Sequence, residues 1–324
     1  MNRNLLTAII VILGSVIYTG CNRTGKRASG DGSLTIATLK GPSSMGMIRL
    51  IDSLNSGGPH SVKVTILDEP LQVRKMMING SAGFAILPTT MAAVTYNKGL
   101  GYRLAAVPVW GTLYLVGRDT TIKTWSDLKG RRVYLMARGM TPDELFRYLL
   151  RRNGLDPEKD ISLDYSFPTH IDLAGAVGAG RASPAVLSEP LASMVMHNNK
   201  SIRRIFSLNH EWELLTGAPL AETAFMVKNS VVKSNRELIE KLLDSYDAST
   251  RWVNNHPDSA AALIVKYNIL PVYDAAFAAI PLSNLKFARA AGIRKEINEY
   301  LEIFYRMNPD ITGGKIPDEN FIYQ

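Results

Sequence analysis

GSAGFAILPTT, residues 80–90, packs a turn, a strand and a helix start into one short stretch. Gly80 and Gly83 punctuate the chain, and Phe84 to Leu87 make an unbroken apolar run of strand length. Pro88-Thr89-Thr90 has the chemistry of a helix N-terminus: a proline with preset φ, then hydroxyls able to accept from free amides. A buried strand running into an open helix N-terminus is a βα unit, and its junction is where α/β proteins hold ligands.

The same alternation extends in both directions. Upstream, LTIATL (Leu34–Leu39) reads as a strand, Gly41-Pro42-Ser43-Ser44 as a junction, and residues 45–54 as an amphipathic helix. VKVTIL (Val62–Leu67) follows as a second strand, then a short helix over 71–78 ending at Asn79-Gly80. Downstream, a helix over 91–97 leads to apolar strands over 103–107 and 113–116. A second series opens near Thr124, with a short helix stopped by Gly130 and a strand over 131–136. The helix after it starts at Thr141-Pro142-Asp143-Glu144, where Thr141 reads as N-cap and Glu144 closes a capping box. Strand, helix and strand continue over 161–167, 171–179 and 185–188, and beyond Lys233 the pattern is almost wholly helical. Repeated βα units predict mainly parallel sheets flanked by helices. GRASPAVL at 180–187 repeats the frame G-x-A-x-x-A-(I/V)-L of GSAGFAIL, and Pro190 follows it as Pro88 follows the first copy. Two lobes on one βα plan would place these units in equivalent positions.

Of 324 residues, 46% are hydrophobic and 20% charged, which excludes a disordered or fibrous chain. The N-terminus stands apart from the body. Met1-Asn2-Arg3-Asn4 is a short basic start, residues 5–17 are almost entirely apolar, and Thr19-Gly20 leads to Cys21, the only cysteine. That order is an export signal, too short to span a bilayer comfortably. Tyr18-Thr19-Gly20-Cys21 resembles a bacterial lipobox, departing from it at Tyr18, and the resemblance implies lipidation of Cys21. Residues 1–20 are then the signal and 21–33 a polar tether, placing the mature chain outside the cytoplasm, held at a membrane. With one cysteine no intramolecular disulfide forms. The formal charge is +8; Arg3, Arg23, Lys26 and Arg27 against Asp31 leave +3 to residues 1–33 and +5, well spread, to the rest. No basic run with interleaved aromatics marks a nucleic-acid binder.

Chemistry-bearing motifs fail one by one. The Walker-like stretch 20–27 has Arg27 where Ser or Thr would hold magnesium, and Gly178-Ala179-Gly180 lacks a third glycine and follows a helix. His210-Glu211 has no second histidine at zincin spacing, and the five histidines form no metal-ligand pair. His170 alone draws notice, at a helix start after Pro168-Thr169, where a surface or capping role is the expectation. No catalytic residue, metal or cofactor is expected. What does recur is a strand-to-helix junction rich in small and hydroxylic residues: 41–44, 88–90, Gly139-Met140-Thr141 and Ser188-Glu189-Pro190. Helix N-termini present free N–H groups and partial positive charge, and four together could hold a small anion or polar molecule.

LKGPSSMG (39–46), AILPTT (85–90), VPVWGTLYLV (107–116) and LSEP (187–190), in that order, resemble ABC-transporter solute-binding proteins of the nitrate/sulfonate/taurine type. The resemblance implies a type II periplasmic-binding fold, α/β in class, of two lobes that close on a ligand by hinge motion. Lobe one would be 31–112 plus 223–324 and lobe two 113–222, with crossings at 110–116 and 222–227. Carried onto this chain, the cleft is Gly41, Pro42, Ser43, Ser44, Pro88, Thr89, Thr90, Trp110, Gly111, Met140, Thr141 and Glu189. Ser43, Ser44, Thr89 and Thr141 are expected as donors, Trp110 as an apolar wall, and Glu189 as facing Thr89 and Thr90 across the solute. Only Lys40 and Arg138 offer cleft cations, a departure from the anion-binding relatives that leaves a larger or neutral ligand open. The implied partners are a small polar or anionic molecule and ABC permease subunits, with the protein itself a monomer and no enzyme. A ligand sensor, or an enzyme like the thiamine-pyrimidine synthases on the same scaffold, is the alternative; the latter's cysteine-rich motif is absent.

Overall fold

Thr89 and its equivalents sit where two sheets turn their strand ends toward each other. The computed structural model describes residues 34–56 and 62–324; the export signal, Cys21, the tether and the Walker-like stretch lie outside the described residues.

The first sheet has six strands: β1 (Leu34–Leu39), β2 (Val62–Leu67), β3 (Phe84–Pro88), β4 (Tyr102–Val109), β10 (Thr223–Lys228) and β11 (Leu285–Arg289), in the order β11-β4-β10-β3-β1-β2. The second has five: β5 (Leu113–Gly117), β6 (Arg132–Tyr134), β7 (Ser162–Asp164), β8 (Ala185–Ser188) and β9 (Arg203–Ser207), in the order β7-β6-β8-β5-β9. In the first sheet two strands, β10 between β3 and β4 and β11 at the edge beside β4, run antiparallel to the other four; in the second only β5, between β8 and β9, does. The mixed sheets with flanking helices are the α/β architecture expected.

Registry fixes which edges meet. Thr223 pairs with Pro88 and with Val109, and Leu113 pairs with Ser188, so both passages between sheets leave from and arrive at the carboxyl edges. The passages are shorter than expected, because Leu113 and Thr223 already belong to sheets; only residues 110–112 and the stretch ahead of Thr223 lie between. An apolar core runs through both halves, including Leu87 and Leu104 of the first, Leu115 and Leu187 of the second, and Trp212, Tyr300 and Phe304 on helices between them. A second core fills the opposite face of the first sheet, around Phe84, Phe225 and Tyr246.

Some local expectations shift. The helix after β1 is broken at Met47 into Pro42–Gly46 and Ile48–Asn55. The C-terminal region contains β11, an edge strand whose LKFAR mixes charge and apolar residues and so hides in a helical context. The helix Thr141–Arg152 takes Met140 as its N-cap with no side-chain cap, and no capping box forms. Its Thr141 hydroxyl is turned outward to another partner, described next, while Asp143 Oδ2 accepts from the Gly139 amide at 2.7 Å. No helix among the described residues is long and apolar enough to cross a membrane.

Candidate functional site

At the end of β1 the 41–44 loop is tied to itself. The Gly41 amide donates to Ser44 Oγ (3.1 Å), and Ser44 Oγ donates to the Gly41 carbonyl (2.9 Å). Ser43 Oγ lies 3.2 Å from Thr38 Oγ1, and the Ser43 carbonyl accepts the Tyr246 phenol at 2.7 Å. Both serines are buried, so their hydroxyls hold the loop's shape rather than pointing free. Pro42 opens the short helix. A Cβ built on Gly41 would stand 3.9 Å from Pro190 Cδ, which brings this loop against the junction after β8.

At the end of β3 the chemistry differs. Pro88 is the N-cap of the helix Thr89–Asn97, and the Thr89 amide donates to the Glu222 carbonyl at 2.9 Å. Thr89 Oγ1 is fully buried and has no hydrogen-bond partner. An unpaired buried hydroxyl costs about 1–3 kcal/mol, so a fold that keeps one has a use for it or fills it with a further group. Next to it, Thr90 Oγ1 meets Thr141 Oγ1 at 2.8 Å, a buried hydrogen bond from the first half to the second. That contact explains why Thr141 does not cap its own helix. Met140 packs its side chain on the shared core.

The passage residues are braced. Trp110 donates its indole N–H to the Lys286 carbonyl (2.7 Å), with the Lys286 ammonium 5.9 Å from its ring centre. Gly111 has φ +88, and a side chain there would run into Asn209; its carbonyl accepts Asn284 Nδ2 at 2.5 Å. The two passages are joined by Glu222, whose carboxylate accepts from the Thr112 amide (2.6 Å) and the Thr112 hydroxyl (2.8 Å). Desolvation raises the Glu222 carboxyl above its ordinary value against these two bonds.

The expectation that Glu189 faces Thr89 and Thr90 is corrected. Its side chain is buried, ion-paired with Arg204, and accepts from the Ser193 amide at 3.1 Å; Arg204 also donates to Ser193 Oγ at 2.8 Å. Burial raises this carboxyl and Arg204 opposes the rise. A carboxylate next to an arginine in a desolvated pocket is held by it, and Thr141 faces Thr90 instead. His170 is no surface cap: its Nδ1 lies 3.0 Å from Ser188 Oγ at the end of β8, and burial lowers its pKa to about 4. The imidazole is therefore neutral near pH 7, with one nitrogen engaged by Ser188.

A family model described as ABC transporter, phosphonate, periplasmic substrate-binding protein matches residues 44–268, from the first junction to beyond β10. The chain belongs to this family. A solved ABC-transporter protein of Parabacteroides distasonis is 28% identical, with 91% of this chain and 99% of that one covered and a TM-score of 0.77. The periplasmic aliphatic sulphonate binding protein SsuA of Escherichia coli shares the fold at 19% identity, 90% and 92% coverage and a TM-score of 0.71. YtlA of Bacillus subtilis, named a binding protein by inference, is 28% identical over 146 residues, 45% of this chain and 42% of that protein. The match thus spans less than half of that curated relative.

For a substrate-binding protein of this family, the structure gives contacts to three residues outside the cleft set that the resemblance implies. Ser188 bonds His170, Glu222 bonds Thr112, and Tyr300 is buried at 2% exposure. His170 carried a signal in its position after Pro168-Thr169. Residue 222 opened an expected crossing, and Tyr300 carried no signal, since what surrounds it is brought by chain from elsewhere.

Proposed function

We propose that the chain captures a small polar solute between the carboxyl edges of its two sheets and delivers it to an ABC permease, as a lipoprotein anchored through Cys21. On this reading 31–112 with 223–324, and 113–222, act as two lobes closing by a hinge at 110–112 and Glu222. The observation that carries it is the Thr89 hydroxyl, buried and unpartnered beside a hydrogen bond that joins the two halves. Membership of a substrate-binding family supports it.

A solute bound only by the folded state raises its melting temperature, by an amount set by its concentration over Kd. Screening small solutes by thermal shift tests the reading directly. Thr89→Ala should abolish the shift produced by a true ligand; an unchanged shift places the cleft elsewhere. For the anchor, Cys21→Ala should move the protein from the membrane to the soluble extracytoplasmic fraction.

A further inference from the structure

Away from the strand ends, three helices enclose a cavity of about 280 Å³. They are Thr141–Arg152, Leu208–Thr216 and Arg294–Met307, so its walls come from the middle of the chain and from the C-terminal region. Tyr148 lines it two turns beyond Thr141, which at 1.5 Å per residue is about 10 Å along the helix from that junction. Trp212 is the hub of the aromatic wall: the ring centroids of Tyr148, Phe304 and Tyr300 lie 5.6, 5.7 and 6.0 Å from its own. The residue is 1% exposed, and its indole Nε1 is buried with no hydrogen-bond partner. The other two buried tryptophans both use theirs, Trp110 on the Lys286 carbonyl at 2.7 Å and Trp125 on Glu211 Oε2 at 2.9 Å. An indole N–H can only donate, and leaving it unpaired in the interior costs about 1–3 kcal/mol. The wall beside it is fixed: Thr216 Oγ1 donates to the Trp212 carbonyl at 2.9 Å and accepts from the Ala218 amide at 3.3 Å, setting the turn that carries Ala218 and Pro219 into the lining.

Size and charge narrow what such a cavity can hold. An apolar cavity of about 150 Å³ takes up a benzene ring, so this one has room for a fused pair of rings. Aromatic walls receive a flat ring by offset or edge-on stacking. Glu296, Glu299 and Glu302 also line the cavity, with Arg152 and Arg306. Arg306 is paired with Glu302 at 3.1 Å, Lys295 with Glu299 at 3.7 Å, and the Arg152 guanidinium stands 6.0 Å from the Tyr148 ring centre. Three carboxylates against two guanidiniums leave the lining net negative, which disfavours an anion.

We propose that this cavity is a second small-molecule site, taking an uncharged fused-ring heteroaromatic whose ring nitrogen or oxygen accepts from Trp212 Nε1. Trp212 selects the acceptor, while Tyr148 and Tyr300 supply ring surfaces and Ala218 bounds the space. The site goes beyond the solute-binding reading and does not depend on it. Because its walls come from 113–222 and from 223–324, a molecule seated there touches both segments at once.

The test titrates two fused-ring probes into the full chain and follows the Trp212 indole N–H by NMR. Quinoline carries a ring nitrogen that accepts; indole carries one that only donates. The Trp212 signal is identified by its through-space contacts with the Tyr148 and Phe304 rings. Quinoline should shift it saturably, and indole should bind about tenfold or more weakly. Ala218→Leu adds bulk to the wall and keeps Trp212, and should weaken quinoline about tenfold; Ile303→Phe serves the same purpose if that variant does not fold. An unmoved Trp212 signal at millimolar quinoline overturns the proposal. So does equal binding of the two probes, or unchanged quinoline affinity in the folded cavity variant. None of these results bears on the solute-binding reading, whose test lies at Thr89.

Discussion

GSAGFAILPTT and GRASPAVLSEP share a frame, and each delivers a buried strand, β3 or β8, to the middle of its sheet. Aligned on that frame, Thr89 corresponds to Glu189. The two side chains have opposite fates. Glu189 is saturated, by Arg204 and the Ser193 amide, whereas Thr89 is sealed in with its hydroxyl unpaired. One junction spends its polar group on holding its own half together, and the other leaves its polar group for something else to satisfy. Equal secondary structure at a repeated motif thus says little about which copy binds; the hydrogen-bond account of each side chain does.

The comparison breaks most visibly at Arg204. Arg204→Ala leaves the Glu189 carboxylate buried without its counter-ion, and should cost about 3–5 kcal/mol in urea unfolding. Adding Glu189→Gln should restore much of it; a single-variant loss below about 1 kcal/mol would sink the view of this junction as a clamp. Next comes acid. His170 next to Ser188 has a folded pKa of about 4, below its ordinary 6.5, so the unfolded chain binds the extra proton first. Stability is then lost as pH falls from about 6.5 toward 4, and the loss stops growing below that. Set against His170→Gln, the difference should reach about 3 kcal/mol, and parallel pH curves for the two proteins would contradict it.

Smaller effects sharpen the contrast on the Thr89 side. Thr90→Val and Thr141→Val, alone and combined, should show a coupling of about 1 kcal/mol through their shared hydrogen bond. Independent effects would mean the halves are not joined there. Smallest of all, Thr89→Val should leave the empty protein within about 0.5 kcal/mol of the parent or slightly more stable, because the hydroxyl removed has no bond to lose. A clear destabilisation would show that Thr89 is structural, as its counterpart Glu189 is.

Much of this was legible before any coordinates. Apolar runs such as Phe84 to Leu87 have one physical destination, and the glycines and prolines beside them fix where the strands end. The family resemblance, resting on the order of four short segments, is supported by the match over 44–268. What failed was local polarity. Thr141 looked like an N-cap because Thr-Pro-Asp-Glu is a good cap pattern, but a hydroxyl prefers whichever acceptor the fold brings closest, and here that is Thr90. Glu189 enters the expected cleft through the resemblance alone, and its ion-pair partner lies at 204, on the edge strand β9. β11 escaped notice since LKFAR, at a sheet edge, is neither alternating nor uniformly apolar.

The insertion of β10 into the first sheet has a consequence for how the molecule is made. β3 and β4 flank β10 and have no direct pairing, so until residues 223–228 arrive each presents an open hydrogen-bonding edge. All five strands of the second sheet are synthesised in that interval. A chain crossing a membrane N-terminus first can therefore finish its later-starting sheet while its earlier one is still an unsealed template for aggregation. The half that starts first closes last.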